Sequence, residues 1–373
     1  MNDRERFINT MRFKDIYRLP LVEWGYWVET IERWHKEGLP SDISFPNEYF
    51  GHDRWNNCSQ PPPLEGNLTF TEAPIPRYEQ RVIEEEEETQ IVQREDGSVC
   101  RMAKRGVSMP QWLSYPVRDR RTWEDYKKRL NPDSPGRVRS GLTPEIIKRF
   151  QSRDYVLFLH PGGSLFGFMR NVVGPENLLY LFYDDPLFVH EMIEYFLEFS
   201  IACARKLLDK VKVDIVNFWE DMAMKNGPLI SPKMFREFML PSYKKLVQFY
   251  QGYGIELFSV DSDGDFSSLF PLFLESGVFI FHPIEIAAGM DPIELRKKYG
   301  KSIGLWGGID KRALIAGKET IRQEVMAKVP QLIEKGGYVP FVDHAVPPDV
   351  SFSNYIYYQN CLREIFGMER IKI

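Results

Sequence analysis

Apolar residues occur along the chain in short runs that are separated by amphipathic segments. Most of these runs are apolar throughout rather than alternating, which is typical of parallel strands that are covered on both faces. The intervening segments have helical periodicity, and a strand–helix–strand order at this spacing predicts parallel pairing. The candidate strands lie at 18–24, 155–160, 213–219, 255–260, 278–282, 302–307 and 338–342.

Helices are predicted wherever apolar positions recur at helical spacing between these runs. They cover 3–12, 27–38, 122–130, 175–185, 186–211, 231–252, 266–276, 292–299, 318–335 and 351–366. We therefore expect an α/β fold, a (β/α)8 barrel of one domain over residues 1–373, with the eighth strand unassigned. An open doubly wound sheet is the alternative, although no GxGxxG turn follows the first strand.

The stretch from 40 to 75 is rich in Pro, Asn and Gly and is interpreted as loop. Residues 77–105 alternate between polar and apolar side chains, and an Asp-Gly pair at Asp96-Gly97 separates two such runs. This pattern predicts a β-hairpin. Because it interrupts the strand–helix rhythm, we interpret it as an inserted flap rather than as part of the barrel.

The charge balance excludes several classes of protein. Net charge is −5 and no basic cluster is present, which argues against nucleic-acid binding. The run Glu84–Glu88 is interpreted as a solvated strand or turn. No apolar stretch is long enough for a membrane span, and the amino-terminal residues lack an apolar signal core. The cysteines are far apart and form no CxxC pair, which fits a reducing cytoplasm and disfavours a cysteine zinc site: Cys58, Cys100, Cys203 and Cys361.

Acidic or imidazole side chains follow at least six of the candidate strands. Functional side chains of a barrel project from the carboxyl ends of its strands. Since like charges in one mouth repel, such a set requires a function such as cation binding or proton transfer. The residues are Glu23, Glu220, Asp221, Asp261, Asp263, His282, Glu285, Asp310, Asp343 and His344.

Two kinds of chemistry follow from these side chains. The carboxylates are candidates for general acid or base. Histidine with carboxylate also forms catalytic zinc sites, and the candidate metal ligands are His344, Asp263 and Glu220. The full set of candidate catalytic residues is Glu220, Asp221, Asp261, Asp263, Glu285 and His344.

Aromatic and basic residues near the strand ends are open to two interpretations. Trp219 and Trp306 are most readily explained as barrel core, but they are also candidates for substrate binding, as are Glu23, His282 and Asp343. Arg170 is suited to binding a carboxylate or phosphate, although a surface salt bridge is the more common role.

Several stretches resemble the uroporphyrinogen decarboxylase superfamily. They are WEDMAMKNGPLISPKMFREFMLPSYKKL (219–246), VDSDGD (260–265), HPIEIAAGMDPIELRKKYG (282–300), GGIDKRALIAG (307–317), GGYVPFVDHAVPPDVSFSNYIYY (336–358) and the opening RERFINTMRFKDIYRLPLVEW (4–24). The resemblance covers nearly the whole chain. It implies a (β/α)8 barrel with the site in a deep cleft at the carboxyl ends of the strands.

The superfamily has two main branches. Its decarboxylases need no cofactor and hold a porphyrinogen with an early arginine pair and an aspartate. The other branch is similar to corrinoid-linked methyltransferases, which use zinc. Thiol-methylating members hold that zinc with a His-x-Cys pair and a later Cys.

This sequence departs from both patterns. Glu23 and Tyr26 occupy the region of the early arginines, so Tyr26 joins the candidate substrate-binding residues. A mouth rich in acids would repel a substrate with eight carboxylates. In place of the His-x-Cys pair stands Asp261-Ser262-Asp263, and His344 takes the place of the later Cys. This oxygen and nitrogen set still permits zinc or a harder metal.

The resemblance therefore favours a corrinoid-dependent methyltransferase-like enzyme acting on a small methyl ether or amine, and the cysteine usage favours a cytoplasmic one. Cobalamin would be carried by a partner protein. A metal held by some of Glu220, Asp261, Asp263 and His344 would act as Lewis acid, and Asp221 or Glu285 would handle the proton. The alternatives are a cofactor-free decarboxylase and a non-catalytic barrel that binds a corrinoid or a tetrapyrrole.

Overall fold

The computed structural model describes residues 1–56, 68–104, 109–138 and 142–372. Its strands, in chain order, are β1 (Trp55–Asn56), β2 (Arg81–Glu85), β3 (Thr89–Gln93), β4 (Val99–Ala103), β5 (Gln111–Ser114), β6 (Val156–Leu159), β7 (Ile215–Trp219), β8 (Ala223–Met224), β9 (Gly227–Pro228), β10 (Leu257–Asp261), β11 (Ile280–Ile284), β12 (Gly304–Gly307) and β13 (Tyr338–Val339). The helices are α1 (Asp3–Met11), α2 (Val28–Glu37), α3 (Arg120–Lys127), α4 (Pro144–Gln151), α5 (Leu165–Val173), α6 (Pro175–Asp184), α7 (Pro186–Leu208), α8 (Pro232–Met234), α9 (Leu240–Gln251), α10 (Phe270–Ser276), α11 (Pro292–Tyr299), α12 (Lys311–Ala316), α13 (Lys318–Lys335) and α14 (Phe352–Phe366).

A seven-stranded parallel sheet forms the centre of the fold, in the order β1-β6-β7-β10-β11-β12-β13. Helices follow most of its strands, as the strand–helix rhythm predicts. The α/β barrel expected from the sequence is therefore confirmed.

The eighth barrel position is an extended segment without regular strand pairing. Its Leu21 carbonyl accepts from the Asp53 amide at 2.7 Å, next to β1, and its Gly25 carbonyl accepts from Val346 at 2.9 Å, beyond β13. Pro20 has no N–H to donate, and the Leu21 amide bonds to the Asp53 carboxylate instead of a neighbouring strand. The predicted strand at 18–24 thus closes the barrel without forming a regular ladder.

The strand missing from the sequence interpretation is β1. It lies in the stretch 40–75, whose Pro, Asn and Gly content predicts loop, and it has two residues, Trp55 and Asn56, that pair with β6. A pair of residues carries no periodicity, so no hydrophobic pattern indicates it.

The amino-terminal end of the barrel is filled with apolar side chains. One buried cluster joins Phe7 and Met11 of α1 to Trp306 and to the first residues of β7 and β10. The Trp306 indole donates to the Met11 sulfur at 3.1 Å. Trp306 therefore packs in the barrel core, and its candidate role in substrate binding stays a prediction. The opposite end of the barrel, where the strands finish, is the end that remains for a site.

An antiparallel four-stranded sheet, β2-β3-β4-β5, stands apart from the barrel sheet. Its β3–β4 turn contains Asp96 and Gly97, with the Asp96 carboxylate accepting from the Ser98 amide at 2.8 Å. Where the sequence predicts a single hairpin at 77–105, the structure has a larger sheet that extends to Ser114. Glu84–Glu88 are exposed at its edge.

None of the described helices has both the length and the apolar character needed to cross a membrane. Cys100, Cys203 and Cys361 are buried free thiols. Cys58 lies outside the described residues.

Candidate functional site

The carboxyl ends of β6, β7, β10 and β11 open into a cavity of about 480 Å³, here called the acidic cavity. The site residues predicted from the strand ends that line it are Trp219, Asp221, Asp261, Asp263 and His344. Its remaining lining residues are Trp24, His160 and Pro283. Side chains from distant parts of the sequence thus meet in one acidic hollow.

Asp263 and His344 face each other across the acidic cavity. The distance from Asp263 Oδ2 to His344 Nε2 is 3.6 Å. Contact with Asp263 raises the pKa of His344 against the opposing effect of burial. Burial alone would raise the pKa of Asp263, but His344, with Lys311 and Arg170, lowers it. These opposite shifts describe an ion pair of imidazolium and carboxylate.

Asp221 is held by Arg170 on one side of the cavity. The guanidinium donates to Asp221 Oδ2 at 3.1 Å and lies over the Trp219 ring, with 4.8 Å between Cζ and the ring centroid. Asp221 has a left-handed φ of 42°, a strained conformation for a residue with a side chain. Burial and the charge of Asp263 raise its pKa. Arg170 therefore forms a half-buried ion pair at the site rather than a bond on the open surface.

Asp261 is the most buried carboxyl of the cavity wall, with 7% of the residue exposed. Burial, together with the charges of Asp221 and Asp263, raises its pKa well above the ordinary value. Its Oδ1 lies 3.8 Å from His282 Nδ1. Both of its acidic neighbours disfavour a further negative charge, so the surroundings of Asp261 favour its protonated form.

Two histidines, His160 on the cavity wall and His282 behind it, are linked through Asn217. The Asn217 amide nitrogen lies 3.0 Å from His160 Nδ1, and its oxygen lies 2.8 Å from His282 Nε2. Burial lowers the pKa of His160 to about 4 and that of His282 well below its usual value. His282 lies behind Asp261 and is not among the lining residues, so its predicted contact with substrate is not what the structure shows.

Sequence reasoning missed His160 and Trp24 as cavity residues. His160 ends the apolar run YVLFLH and Trp24 ends the run at 18–24, so both satisfy the strand-end rule that selected the others. The strand-end signal therefore identifies both residues, although neither of them is an acid.

Glu220 does not line the acidic cavity, where its predicted catalytic and metal-binding roles would place it. Its carboxyl oxygens accept from the amides of Leu165 at 2.8 Å and Gly167 at 2.7 Å, in the first turn of α5, and from the Tyr243 hydroxyl. Burial raises its pKa to about 7. Glu220 therefore fastens the start of α5 to the end of β7.

Glu23 and Tyr26 are also placed behind the cavity rather than in it. Glu23 accepts from the Val342 amide at 3.2 Å and the Tyr355 hydroxyl at 3.0 Å. Tyr355 in turn lies 3.0 Å from the Tyr26 hydroxyl. This buried network joins α14 to the closing segment of the barrel, so the predicted substrate contacts of Glu23 and Tyr26 are not supported.

Asp343 and Glu285 hold loops at the rim. Asp343 accepts from the amides of Ile286 and Lys311 at 3.0 and 3.1 Å, which ties two strand-end loops together. Glu285 accepts from the Gly264 amide at 3.0 Å and lies 3.5 Å from the Lys311 ammonium. Neither carboxylate is among the lining residues of the acidic cavity.

The predicted metal-ligand set does not come together. Within the described ranges, no group of three or more His, Cys, Asp or Glu side chains is arranged to hold a metal ion. Glu220 is engaged by the amides of α5, and Asp263 is paired with His344. The residues present therefore do not fit the expected metal, and no chemical step is assigned to one.

Glu23 provides a test of the buried network through the pH dependence of stability. Burial raises its pKa to about 8, so the folded state keeps a proton that the unfolded chain loses near pH 4.5. This contribution is complete below pH 4.5 and is lost as pH rises toward 8. Replacing Glu23→Gln should reduce the fall in unfolding free energy across this window, by at most about 5 kcal/mol.

Urea denaturation of both proteins between pH 5 and 8 measures this effect. Glu176→Gln, at an exposed position of α6, is the control and should leave the slope unchanged. Parallel stability curves for wild type and Glu23→Gln would show that Glu23 is ionised in the folded protein.

The barrel sheet and the acidic cavity at its strand ends place this chain in the class of α/β-barrel proteins that carry their candidate site at the carboxyl ends of the strands. The family model described as "Uroporphyrinogen decarboxylase (URO-D)" matches residues 114–365. The chain therefore belongs to the uroporphyrinogen decarboxylase family, as the sequence motifs indicate.

Solved structures extend the similarity to the whole chain. A methyltransferase from Methanosarcina mazei superimposes with a TM-score of 0.64 over 98% of this chain and 99% of that chain, at 14% identity. A B12-independent methionine synthase from Shewanella sp. W3-18-1 covers 63% of this chain and 68% of that chain, with a TM-score of 0.40 and 14% identity. No curated protein matches in sequence. At these identities the superpositions show the fold alone.

Proposed function

We propose that this chain is a methyltransferase that removes a methyl group from a small methyl ether bound in the acidic cavity. The observation that carries the proposal is the position of Asp261 on the cavity wall, buried beside Asp221 and Asp263, whose charges together with burial raise its pKa. Membership of a family of enzymes supports catalysis. The arrangement of acids supports an ether as the donor, because its oxygen needs a proton in order to leave.

An alkoxide is a poor leaving group in neutral water, and general acid catalysis removes that difficulty. As the bond between the methyl carbon and the ether oxygen breaks, the carbon forms a bond to the nucleophilic acceptor. Asp261 gives its proton to the departing oxygen. The products are an alcohol, the methylated acceptor and the Asp261 carboxylate, which is reprotonated from water.

The other charged side chains keep Asp261 ready for this step. Asp221 and Asp263 raise its pKa, and each is itself tied to a cation, Arg170 or His344. The two ion pairs hold the carboxylates of Asp221 and Asp263 in place beside Asp261. Trp24 and Trp219 present ring surfaces that exclude water from the methyl group.

The proposed methyl acceptor is a reduced corrinoid carried by a partner protein, as the resemblance to corrinoid-linked methyltransferases implies. It enters as a second substrate that supplies the nucleophile. The uroporphyrinogen reaction is not proposed, because the ionised Asp263 and the acidic neighbours in the cavity would repel a polycarboxylate.

The direct test is methyl transfer by the purified protein to reduced cobalamin. Methyl ethers should give stoichiometric alcohol and a methylated corrinoid, followed by its absorption change and by chromatography of the alcohol. Tetramethylammonium, whose amine leaves without a proton, is the comparison donor. Transfer from tetramethylammonium alone would contradict the acid role of Asp261, and absence of transfer from any donor would contradict the function.

A further inference from the structure

A second cavity, of about 550 Å³, lies next to the acidic cavity and beneath the antiparallel sheet. We call it the sheet cavity. It shares Asp221 with the acidic cavity, and Arg170 lines its wall. A third cavity, of about 510 Å³, shares Glu72 with the sheet cavity and both Trp219 and His160 with the acidic cavity. The three spaces therefore adjoin one another around the stacked pair of Arg170 and Trp219.

Glu72 is the polar group that the sheet cavity leaves without a partner. Its Oε1 is buried and accepts no hydrogen bond from any described residue. Burial and the charge of Glu220 raise its pKa well above the usual value. A buried acceptor without a partner costs free energy, which a bound donor recovers.

Arg137 fixes the backbone on both sides of Glu72. Its guanidinium donates to the carbonyl oxygens of Thr71 at 2.8 Å and Ala73 at 2.5 Å, and the Arg137 carbonyl accepts from the Thr71 amide at 2.8 Å. Its other described bonds also go to carbonyl oxygens. The cation therefore positions the Glu72 segment without bonding to its carboxyl, and the carboxyl is preorganised for a ligand.

Aromatic side chains form much of the remaining wall. Trp112 of β5 and Tyr115 just after it come from the antiparallel sheet, and Phe168 comes from α5 of the barrel. Trp112 is 37% exposed, which places it at an open rim. A lining rich in aromatic rings favours an apolar, ring-sized body.

We propose that the sheet cavity binds the body of the methyl donor, an uncharged ring-sized group whose hydroxyl donates to Glu72. The identification of this ligand as the methyl donor rests on the proposed function, but its binding does not. With the body under the antiparallel sheet, the ether methyl lies beyond Asp221 in the acidic cavity. The antiparallel sheet thereby sets which donors fit.

Binding of two matched probes tests this site in the absence of any methyl acceptor. 4-Methoxyphenol and anisole differ by one hydroxyl group and are titrated by calorimetry. We expect wild type to bind 4-methoxyphenol about tenfold more tightly, as for one hydrogen bond to a buried group. Glu72→Leu should bind both probes equally, and Glu72→Gln, which keeps an acceptor oxygen, should retain part of the preference.

The control is Glu79→Gln, an exposed carboxylate in the same segment, which should keep the full preference. If Glu72→Leu does not fold, Trp112→Ala replaces it and should weaken both probes together. Equal binding of the two probes by wild type would overturn the sheet cavity as a donor site.

The binding test separates this site from the proposed function. If wild type binds 4-methoxyphenol more tightly than anisole but transfers no methyl group, the proposed function is contradicted and the binding site is supported. If both probes donate methyl groups at equal rates that Glu72→Gln does not change, the sheet cavity is contradicted as the donor site and the proposed function is supported.

Discussion

Replacing Asp261→Asn is expected to slow methyl transfer from an unactivated ether by about 10²- to 10⁴-fold. The amide has nearly the shape of the protonated carboxyl but has no acidic proton to give. Asp261 is buried beside Asp221 and Asp263, which raise its pKa and favour its neutral form, so an uncharged amide suits the same surroundings. The folded state should therefore survive while the chemical step is lost.

The leaving group gives this prediction its sharpest measurement. A methyl ether of 4-nitrophenol releases a stable anion that needs little help from an acid, so Asp261→Asn should slow it much less than it slows an alkyl ether. Wild-type activity on the alkyl ether should fall as pH rises through the raised pKa of Asp261. The variant should lack that limb of the pH profile.

Asp265→Asn is the matched control, because Asp265 follows the same strand but accepts from the Ser267 amide and does not line the acidic cavity. It should leave both donors and the pH profile unchanged. An equal loss on the two donors in Asp261→Asn would mean that Asp261 binds or positions substrate and does not act as the acid.

Much of the candidate site could be predicted from where the apolar runs end. Asp221, Asp261, Asp263 and His344 each follow a predicted strand, and the structure brings them to one cavity. Parallel strands all end on the same side of the barrel, so the end of a run locates a residue in space without any contact information.

The expectation that residues at strand ends line the site does not hold where neighbouring side chains point in different directions. Glu220 and Asp221 are adjacent, yet Glu220 turns toward the amides of α5 and Asp221 lines the cavity. Successive side chains of an extended chain point to opposite faces. The position of a strand end therefore does not show which of two adjacent side chains lines the cavity. The same holds for Glu23, which lies behind the cavity while its neighbour Trp24 lines it.

The segment that closes the barrel and strand β1 could not be predicted from the sequence pattern for a different reason. Pro20 cannot donate a backbone hydrogen bond to a neighbouring strand, and β1 is only two residues long. The pairing of the Leu21 amide with the Asp53 side chain depends on tertiary contacts. No periodicity over so few residues distinguishes such a strand from loop.

Replacing Gly167→Ala should destabilise the protein by roughly 3 kcal/mol or more, the largest stability effect that we expect from one added methyl group. A Cβ at this position would lie 2.3 Å from the Trp219 carbonyl oxygen and 3.1 Å from its ring. The clash is with backbone, so no side-chain rotation relieves it. Helix α5 must move away from β7, which also breaks the bond from the Gly167 amide to Glu220.

Urea denaturation measures the loss, and Gly252→Ala is the control. Gly252 has an ordinary helical φ of −58°, and an added Cβ would come no closer than 3.1 Å to another atom. Its unfolding free energy should change by less than about 1 kcal/mol. A small effect in both variants would show that α5 moves freely against β7 and that Glu220 does not fasten it.

Gly167→Ala should affect the acidic cavity as well as stability. Trp219 and Asp221 flank Glu220, so displacing α5 should shift the Trp219 ring and its stacked Arg170 together with the cavity wall. Even under conditions where Gly167→Ala is folded, methyl transfer should fall by about tenfold or more, since an error near 1 Å in position is costly in catalysis. Full activity in the folded variant would mean that the α5–β7 contact stabilises the barrel without positioning the acidic cavity.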